Sequence, residues 1–240
     1  MREVTLSELV ELVDDPFVRR QVSASSFTTA WVAGEAAVVA APSRRNLGPG
    51  AAYTCVGPAA DLDPLLASVA EVAPAPARVS VDKHSFGALP WRVPSCHVWD
   101  WMLCDTPPPP PLLEVVEVAD PAEVGAVLDA GNPDSFARPG DPDVETWLGA
   151  YDDGVLGAVG ALTRVGDSTG HLRGITTRPD HRGRGLGAAV SAALTRRAMA
   201  PTGVATLGVY VDNDPALGIY RRLGYRTVHT FASGAATSAR

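Results

Sequence analysis

The sequence predicts an α/β fold, and three observations predict it. Short apolar runs of strand length recur along the whole chain, separated by turn-rich stretches or by Ala/Leu-rich segments of helical length. Apolar residues make up 46 % of the 240 residues, enough to bury a core and to exclude wholesale disorder. Pro107 to Pro111, five prolines in succession, cannot pair in a sheet interior and hold an extended, semi-rigid conformation. That run is read as a linker (107–111) between a first part, 1–106, and a second, 112–240. Length agrees, because at about 150 residues per domain the chain amounts to roughly 1.6 domains.

In the first part, Leu6–Val13 has the spacing of a short amphipathic helix, followed by Asp14-Asp15-Pro16. Ala36–Ala41 and Ala51–Val56 read as strands joined by a Pro/Gly-rich turn around Arg45–Gly50. Leu62–Val72 is helical, and Arg78–Val81 and His97–Leu103 are further strands. Trp91, Trp99 and Trp101 are read as packing residues.

The second part is more regular. Leu113–Val118 alternates like a strand, and Pro121–Leu128 is a helix with Asp120 at its N-cap and Pro121 at its first position. Trp147–Tyr151 and Val155–Val165 flank Asp152-Asp153-Gly154, a hairpin turn. His171–Thr177 is the next strand, Gly185–Met199 a helix and Ala205–Val211 a strand. Pro215–Leu223 is a helix closed by Gly224, and Tyr225–Phe231 is a last strand before a frayed tail, Ser233–Arg240.

Composition excludes several classes of function. Twenty basic and 27 acidic residues give a net charge of −7, a poor match for nucleic acid or an anionic membrane. No apolar run approaches the ~20 residues needed to cross a bilayer, and the first residues lack an apolar signal core. The expected location is therefore the cytoplasm. Cys55, Cys96 and Cys104 form no C-x-x-C pair and are read as small apolar residues, and no His, Cys, Asp or Glu set has metal-ligand spacing. His181 and His229 are expected at the surface, His84 and His97 in structural roles.

The main chemical signal lies in Thr176 to Gly187: a strand end, a polar turn, then Gly183, Gly185 and Gly187 at the mouth of a helix. Glycines there let the backbone approach an anion, and the first N–H groups of a helix favour negative charge. Between His171 and Arg197 stand six arginines and one acid, a local +5 that leaves −12 for the rest of the chain. An acidic protein with that concentration of positive charge suits one compact polyphosphate. Gly183, Gly185 and Ala188 also satisfy G-x-G-x-x-G/A, which admits a dinucleotide-dependent oxidoreductase. That fingerprint, however, leaves its strand directly into the first glycine, whereas Arg178 to Arg182 intervene here. Arg45 to Gly50 repeats the letters R-x-x-G-x-G without a helix and carries no such meaning.

Downstream of the Ala205–Val211 strand comes Asn213-Asp214-Pro215-Ala216-Leu217-Gly218-Ile219-Tyr220-Arg221-Arg222-Leu223-Gly224-Tyr225. The loop R-x-x-G-x-G at a helix start, then a strand, then N-x-x-A-x-x-x-Y-x-x-L-G-Y, resembles the GCN5-related N-acetyltransferase (GNAT) superfamily over 112–240. The resemblance implies a mixed, splayed β-sheet flanked by helices, with acyl-coenzyme A in the gap as cosubstrate, most simply acetyl-CoA, and no metal. It implies that the backbone of Ile175, Thr176 and Thr177 pairs with the pantetheine arm. The amides of Arg182, Gly183, Arg184, Gly185, Leu186 and Gly187 hold the pyrophosphate, and Asn213 contacts the pantetheine end. Tyr220 stands at the family's tyrosine position and would protonate the departing thiolate.

The reaction so implied is N-acyl transfer to a primary amine by direct attack on the thioester, which needs the amine neutral and a base or water chain to take its proton. Developing charge on the thioester oxygen calls for a fixed backbone donor. Two positions that carry a glutamate in relatives are here Gly208 and His171, which leaves His171 as the candidate base, with water as the alternative. The partners implied are a small-molecule amine or a peptide, and a homodimer is compatible. Asp141, Asp143, Glu145, Asp152 and Asp153 would suit a cationic acceptor. The first part resembles a degenerate, partial copy of the same fold without a usable phosphate loop. A non-catalytic acyl-CoA-binding regulatory module is the other function that these residues allow.

Overall fold

The computed structural model describes residues 1–43 and 50–237. The turn expected at Arg45 to Gly50 lies outside the described residues except for Gly50. The chain divides into two compact units, residues 1–101 with 228–240, and residues 102–227.

The first unit runs β1 (Arg2–Val4), α1 (Leu6–Leu12), α2 (Pro16–Gln21), β2 (Thr29–Ala33), β3 (Ala36–Pro42), β4 (Ala51–Val56), α3 (Ala59–Val72) and β5 (Arg78–Asp82), then a 3-10 turn, Lys83–Ala88. The chain leaves it through β6 (His97–Cys104) and returns through β12 (Arg226–Ala235). Neighbouring strands from β1 to β4 are antiparallel, β4 and β5 are parallel, and β12 pairs antiparallel with β5 from Phe231↔Asp82 to Ala235↔Arg78. That last pairing carries residues 228–240 into this unit, whereas the division at the proline run would group them with 112–227. It also places Ser233, Gly234 and Ala235 in a strand, and Thr237 bridges Arg92, so the expected tail is ordered there. Leu62, Leu65, Leu66 and Val69 recur at helical spacing and pack α3 against Val38, Cys55, Val79 and Val81.

Three elements escape the sequence pattern. β1 and α2 are too short to show a period; α2 exists because Asp15 caps it, accepting from Phe17 N at 2.7 Å, and Pro16 opens it. β2 shows no alternation because Ala30, Trp31 and Val32 are all buried. Trp91 and Trp101 are core residues as expected, and Trp99 lies against Phe231 with ring centroids 5.0 Å apart. Cys55 and Cys104 are buried, but Cys96 is exposed.

His229 is not a surface residue. Its Nδ1 lies 2.9 Å from Asp82 Oδ1 and its Nε2 3.0 Å from Asp15 Oδ2, and its ring stacks on Phe231 at 5.2 Å. Asp15, Asp82 and His229 stand in a cleft of about 730 Å³ that Gly57, Lys83 and His84 also line. Burial lowers the affinity of His229 for a proton, but hydrogen bonds and charge from Asp15 and Asp82 outweigh it and raise its pKa from 6.5 to about 9.

The second unit contains β7 (Val116–Glu117), α4 (Pro121–Gly131), β8 (Val144–Asp152), β9 (Val155–Val165), β10 (Thr169–Thr177), α5 (Leu186–Met199), β11 (Ala205–Tyr210) and α6 (Asp214–Arg222). β7 to β10 pair antiparallel in order, and β10 and β11 are parallel. Of the strand expected at Leu113–Val118 only Val116 and Glu117 pair with β8. Asp153 (φ 49°) and Gly154 (φ 76°) make the two-residue turn whose twist fits the β8–β9 hairpin. α5 covers one sheet face, Leu186, Val190 and Leu194 meeting Leu148, Leu162, Leu172 and Leu207. α4 covers the other, Val124, Val127 and Leu128 meeting Trp147, Val159 and Ala161. The result is an open mixed sheet flanked by helices, and no helix among the described residues is long and apolar enough to cross a membrane.

The His229 cluster yields a stability test. A folded pKa of about 9 against 6.5 unfolded means the contribution is complete below pH 6.5 and is lost as pH rises through about 9. Urea unfolding of the wild type is expected to weaken by about 2–3 kcal/mol from pH 6 to pH 10 relative to His229→Gln, whose own profile lacks that step.

Candidate functional site

The second unit's sheet opens between β10 and β11. Their pairing holds at Gly170↔Ala205, His171↔Thr206 and Leu172↔Leu207, and goes no further, although β11 continues to Tyr210 and β10 to Thr177. The cause lies in β10: its register against β9 shifts between Arg173 and Thr176, and Gly174 takes φ +59°, which turns the strand out of line. Ile175, Thr176 and Thr177 lie on the diverging stretch of β10, Thr176 buried and its hydroxyl donating to Gly174 O at 3.1 Å.

At the end of that stretch the backbone turns through Pro179–His181 into Arg182-Gly183-Arg184-Gly185 and then α5. Gly183 (φ +79°) and Gly185 (φ +83°) hold a conformation that side chains resist, and beside Gly183 no atom lies within 4 Å of where a Cβ would stand. Gly187 allows the close approach of α5 to β10, since a Cβ there would lie 2.7 Å from Thr177 Oγ1. The N-cap residue Gly185 offers no side chain, so the first amides of α5 have no capping acceptor, whereas Asp120 caps α4 and Asn213 caps α6. These uncapped amides and the exposed Arg182 are donors suited to an anion. The dinucleotide geometry does not arise, because the five residues from Arg178 to Arg182 separate the strand from the first glycine.

Arg182 makes no ion pair among the described residues, but three of the six arginines read from the sequence meet acids from elsewhere in the chain and Arg178 meets the local Asp180. Arg173 pairs with Asp143 at 2.9 Å, Arg178 with Asp180 at 3.4 Å, Arg197 with Glu117 at 2.9 Å and Arg184 with Asp152. Glu145 pairs with Arg164 at 2.6 Å and Asp141 accepts from Arg138 N at 2.7 Å. Of the five acids read as suited to a cationic acceptor, these contacts engage Asp141, Asp143, Glu145 and Asp152. His181 is mostly enclosed rather than at the surface, its Nδ1 3.1 Å from Asp180. That neighbour, first among the causes, holds the Asp180 carboxyl below its usual range.

Tyr220 and His171 lie on opposite faces of the sheet. Tyr220 is buried in the cluster that holds Leu172, Leu207 and Val209, with its ring 5.9 Å from that of Tyr225. Burial pushes its phenol well above the ordinary value. His171, also buried, lies next to Leu172 in the strand and therefore points to the other face, where its Nδ1 is 2.9 Å from Thr206 Oγ1. Asn213 is exposed and its Oδ1 accepts from Ala216 N at 3.3 Å as the α6 cap. Among the described residues no group of three or more His, Cys, Asp or Glu is placed to hold a metal ion.

Residues 112–225 match the Acetyltransferase (GNAT) family. This segment is a GNAT domain. A 68-residue stretch is 39 % identical to the mycothiol acetyltransferase of Corynebacterium jeikeium, which is 28 % of this chain and 19 % of that protein. The match thus spans about a fifth of the relative's length. In fold the chain is similar to a Drosophila protein (16 % identity, TM-score 0.61, 99 % of each chain). It is also similar to a GCN5-related N-acetyltransferase from Kribbella flavida (18 %, TM-score 0.56, 98 % of this chain and 95 % of that one). A third likeness is to a GNAT-family acetyltransferase from Colwellia psychrerythraea (11 %, TM-score 0.53, 99 % and 100 %).

Two contacts at the candidate site carry no signal in the sequence. Thr206 meets His171 only because two strands 35 residues apart are in parallel register. Asp152 reaches Arg184 from the β8–β9 hairpin, 32 residues away. The glycines give a test of opposite signs. Gly185→Ala forces an L side chain to φ +83° and is expected to lower Tm by about 2–4 °C, for a cost of about 1 kcal/mol. Gly125→Ala, inside α4 with nothing within 4 Å of the new Cβ, is expected to raise it by a similar amount in the same calorimetric scan.

Proposed function

We propose that the GNAT domain, within residues 112–240, is an N-acyltransferase that moves an acetyl or another acyl group from acyl-CoA to a primary amine. The observation that carries this reading is the parting of β10 and β11 beside a helix start whose amides lack a capping side chain. Acyl-CoA supplies the activated thioester when it binds. The backbone of Ile175, Thr176 and Thr177 would pair with its pantetheine arm as an added strand, and a backbone N–H there would stabilise charge on the thioester oxygen. The amides of Arg182 to Gly187, with the Arg182 guanidinium, would hold the pyrophosphate. Asn213, whose Oδ1 serves the α6 cap, keeps its amide N–H groups for the pantetheine end.

Tyr220 fits a general acid because its phenol carries a proton at neutral pH that it can give to a departing thiolate. His171 fits the base that takes the amine's proton, and its place on the opposite face keeps the two transfers apart. The acceptor is a small-molecule amine or a peptide. The first part, 1–106, follows the same plan of antiparallel strands, a helix and a parallel strand, but β4 and β5 stay paired to Cys55↔Val81 near their ends. That supports reading it as a degenerate copy with no gap for a pantetheine arm.

Calorimetry with acetyl-CoA and with NAD(P) is the first test: binding of acetyl-CoA alone is expected, and binding of NAD(P) without coenzyme A would overturn the reading. An amine screen that follows free-thiol release then identifies the acceptor. In that assay Tyr220→Phe is expected to lower turnover about a hundredfold while retaining acetyl-CoA binding. An unchanged rate removes Tyr220 as the acid.

A further inference from the structure

The acid proposed for the departing thiolate does not hold itself in place. The Tyr220 hydroxyl makes no hydrogen bond among the described residues, so the phenol is placed by what packs on its ring. The turn after α6 supplies that packing. Gly224 takes φ +91°, its N–H donates to Arg221 O at 3.1 Å, and the Tyr225 N–H donates to Tyr220 O at 3.0 Å. A glycine after the last turn closes a helix with this pair of bonds, and here it folds Tyr225 back over Tyr220, ring centroids 5.9 Å apart and planes at 64°. A phenylalanine could make that ring contact; the Tyr225 hydroxyl makes another. It lies 3.0 Å from Thr195 Oγ1, and both residues are buried. Thr195 Oγ1 lies 2.7 Å from Ser191 O, and a carbonyl only accepts, so the threonine proton is directed there and Tyr225 is the donor to Thr195. We propose that Tyr225 is a positioning residue that fixes the Tyr220 phenol relative to α5, the helix whose first amides are read as the pyrophosphate mouth. Its catalytic meaning rests on the reading of Tyr220 as the general acid.

α6 has few other holds on the domain. Of its nine residues only Leu217 and Tyr220 are buried, and Cys104 Sγ donates to Leu223 O at 3.4 Å just past its end. A helix of that length is not stable by propensity alone, so its pose depends on tertiary contacts. Thr195 stands on the buried face of α5, and its bond back to Ser191 O holds the oxygen in one direction. The hydroxyl pair therefore ties the end of α6 to the helix that opens at the Arg182–Gly187 loop. A cofactor held at that loop then presents its sulfur to a phenol whose place is set from the same helix. Tyr225 takes part in no bond change; it acts through Tyr220.

A double-mutant cycle, followed by free-thiol release with the amine that the screen identifies, tests the role. Tyr225→Phe keeps the ring and removes only the donor, and Thr195 still donates to Ser191 O, so no buried donor is left unmet. It is expected to lower kcat about fivefold, the factor to which one ordinary hydrogen bond corresponds. The KM for acetyl-CoA should stay within about twofold, since neither Tyr225 nor Thr195 makes a proposed cofactor contact. In a Tyr220→Phe background the same change is expected to add nothing, because the hydroxyl it positions is gone. A purely structural residue costs the same factor in both backgrounds. Thr195→Val removes the acceptor from the α5 side and is expected to reproduce the loss. Thr195→Ser, which keeps the oxygen, is expected to retain the wild-type kcat.

Carbon-13 NMR of the tyrosine-labelled chain reads the phenol itself, with Tyr220 assigned by its absence in Tyr220→Phe. Thr195→Val alters no hydrogen bond of Tyr220, yet it is expected to shift the Tyr220 ring signals, as is Tyr225→Phe. With Tyr220→Phe slow, a wild-type kcat in Tyr225→Phe overturns the inference. So does a loss of equal size in the Tyr220→Phe background, or a Tyr220 signal unmoved in both variants. If Tyr220→Phe leaves kcat unchanged, or the wild type transfers no acyl group to any amine, the acid reading falls first. The spectra then decide alone whether Tyr225 places the Tyr220 ring: shifted signals uphold it and unshifted ones overturn it. Because the hydroxyl pair can be broken from either side, a Tyr225→Phe chain that fails to fold leaves the test to Thr195→Val.

Discussion

The second unit depends on one failure of pairing. A parallel strand pair normally satisfies its backbone along its whole length, and leaving polar backbone unmatched inside a sheet is costly. Here β10 and β11 share only three positions before Gly174 turns β10 away. The backbone groups beyond Leu172 and Leu207 are then available to a guest that brings its own donors and acceptors. An extended amide-bearing chain such as pantetheine meets that requirement. The neighbouring loop extends the same logic: Gly183 and Gly185 take positive φ, and the helix they open has amides that no side chain caps. Strand gap and helix mouth each have hydrogen-bonding capacity to spare, and they are consecutive in the chain.

In the first unit the parallel strand pair stays closed. β4 and β5 remain in register through Cys55↔Val81, and no positive-φ glycine interrupts either strand. The ends of those strands are occupied by protein charge. Asp82, at the end of β5, receives the Nδ1–H of His229, and its other oxygen accepts from Gly57 N at 3.3 Å. Asp15, on the far side of the ring, already caps α2. Each carboxylate therefore serves a backbone and an imidazolium together, which is how the buried Asp82, the partly buried Asp15 and the histidine avoid the cost of unpaired charge. The same residue economy explains why this histidine is held protonated so far above its ordinary range.

Periodic elements are legible in the sequence and contacts between distant residues are not. The α5 helix, its glycine-rich entrance and the Asp152-Asp153-Gly154 hairpin are readable because each depends on residues adjacent in the chain. Asp120 and Pro121 at the start of α4 are readable for the same reason. His229 reads as a surface residue because nothing near it in sequence is acidic; its partners lie 214 and 147 residues away. The local +5 around the phosphate loop is a true count, but folding returns Asp143, Asp152 and Glu117 to three of those arginines. Sequence charge therefore overstates the field at the helix mouth. The backbone amides and Arg182 are the part of it that no acid offsets.

Burial and face explain how one site can keep an acid and a base apart. Strand alternation sends Leu172 and Leu207 toward α5 and the neighbours His171 and Thr206 toward the other side of the sheet. Tyr220 joins the first set, where apolar packing raises the phenol's hold on its proton. His171 joins the second, where its Nδ1 lies 2.9 Å from the Thr206 hydroxyl. If the two side chains serve as the acid and base proposed above, a proton taken from an amine and a proton given to sulfur would travel on opposite sides of the sheet, and the strand gap proposed for the cofactor would also divide the chemistry.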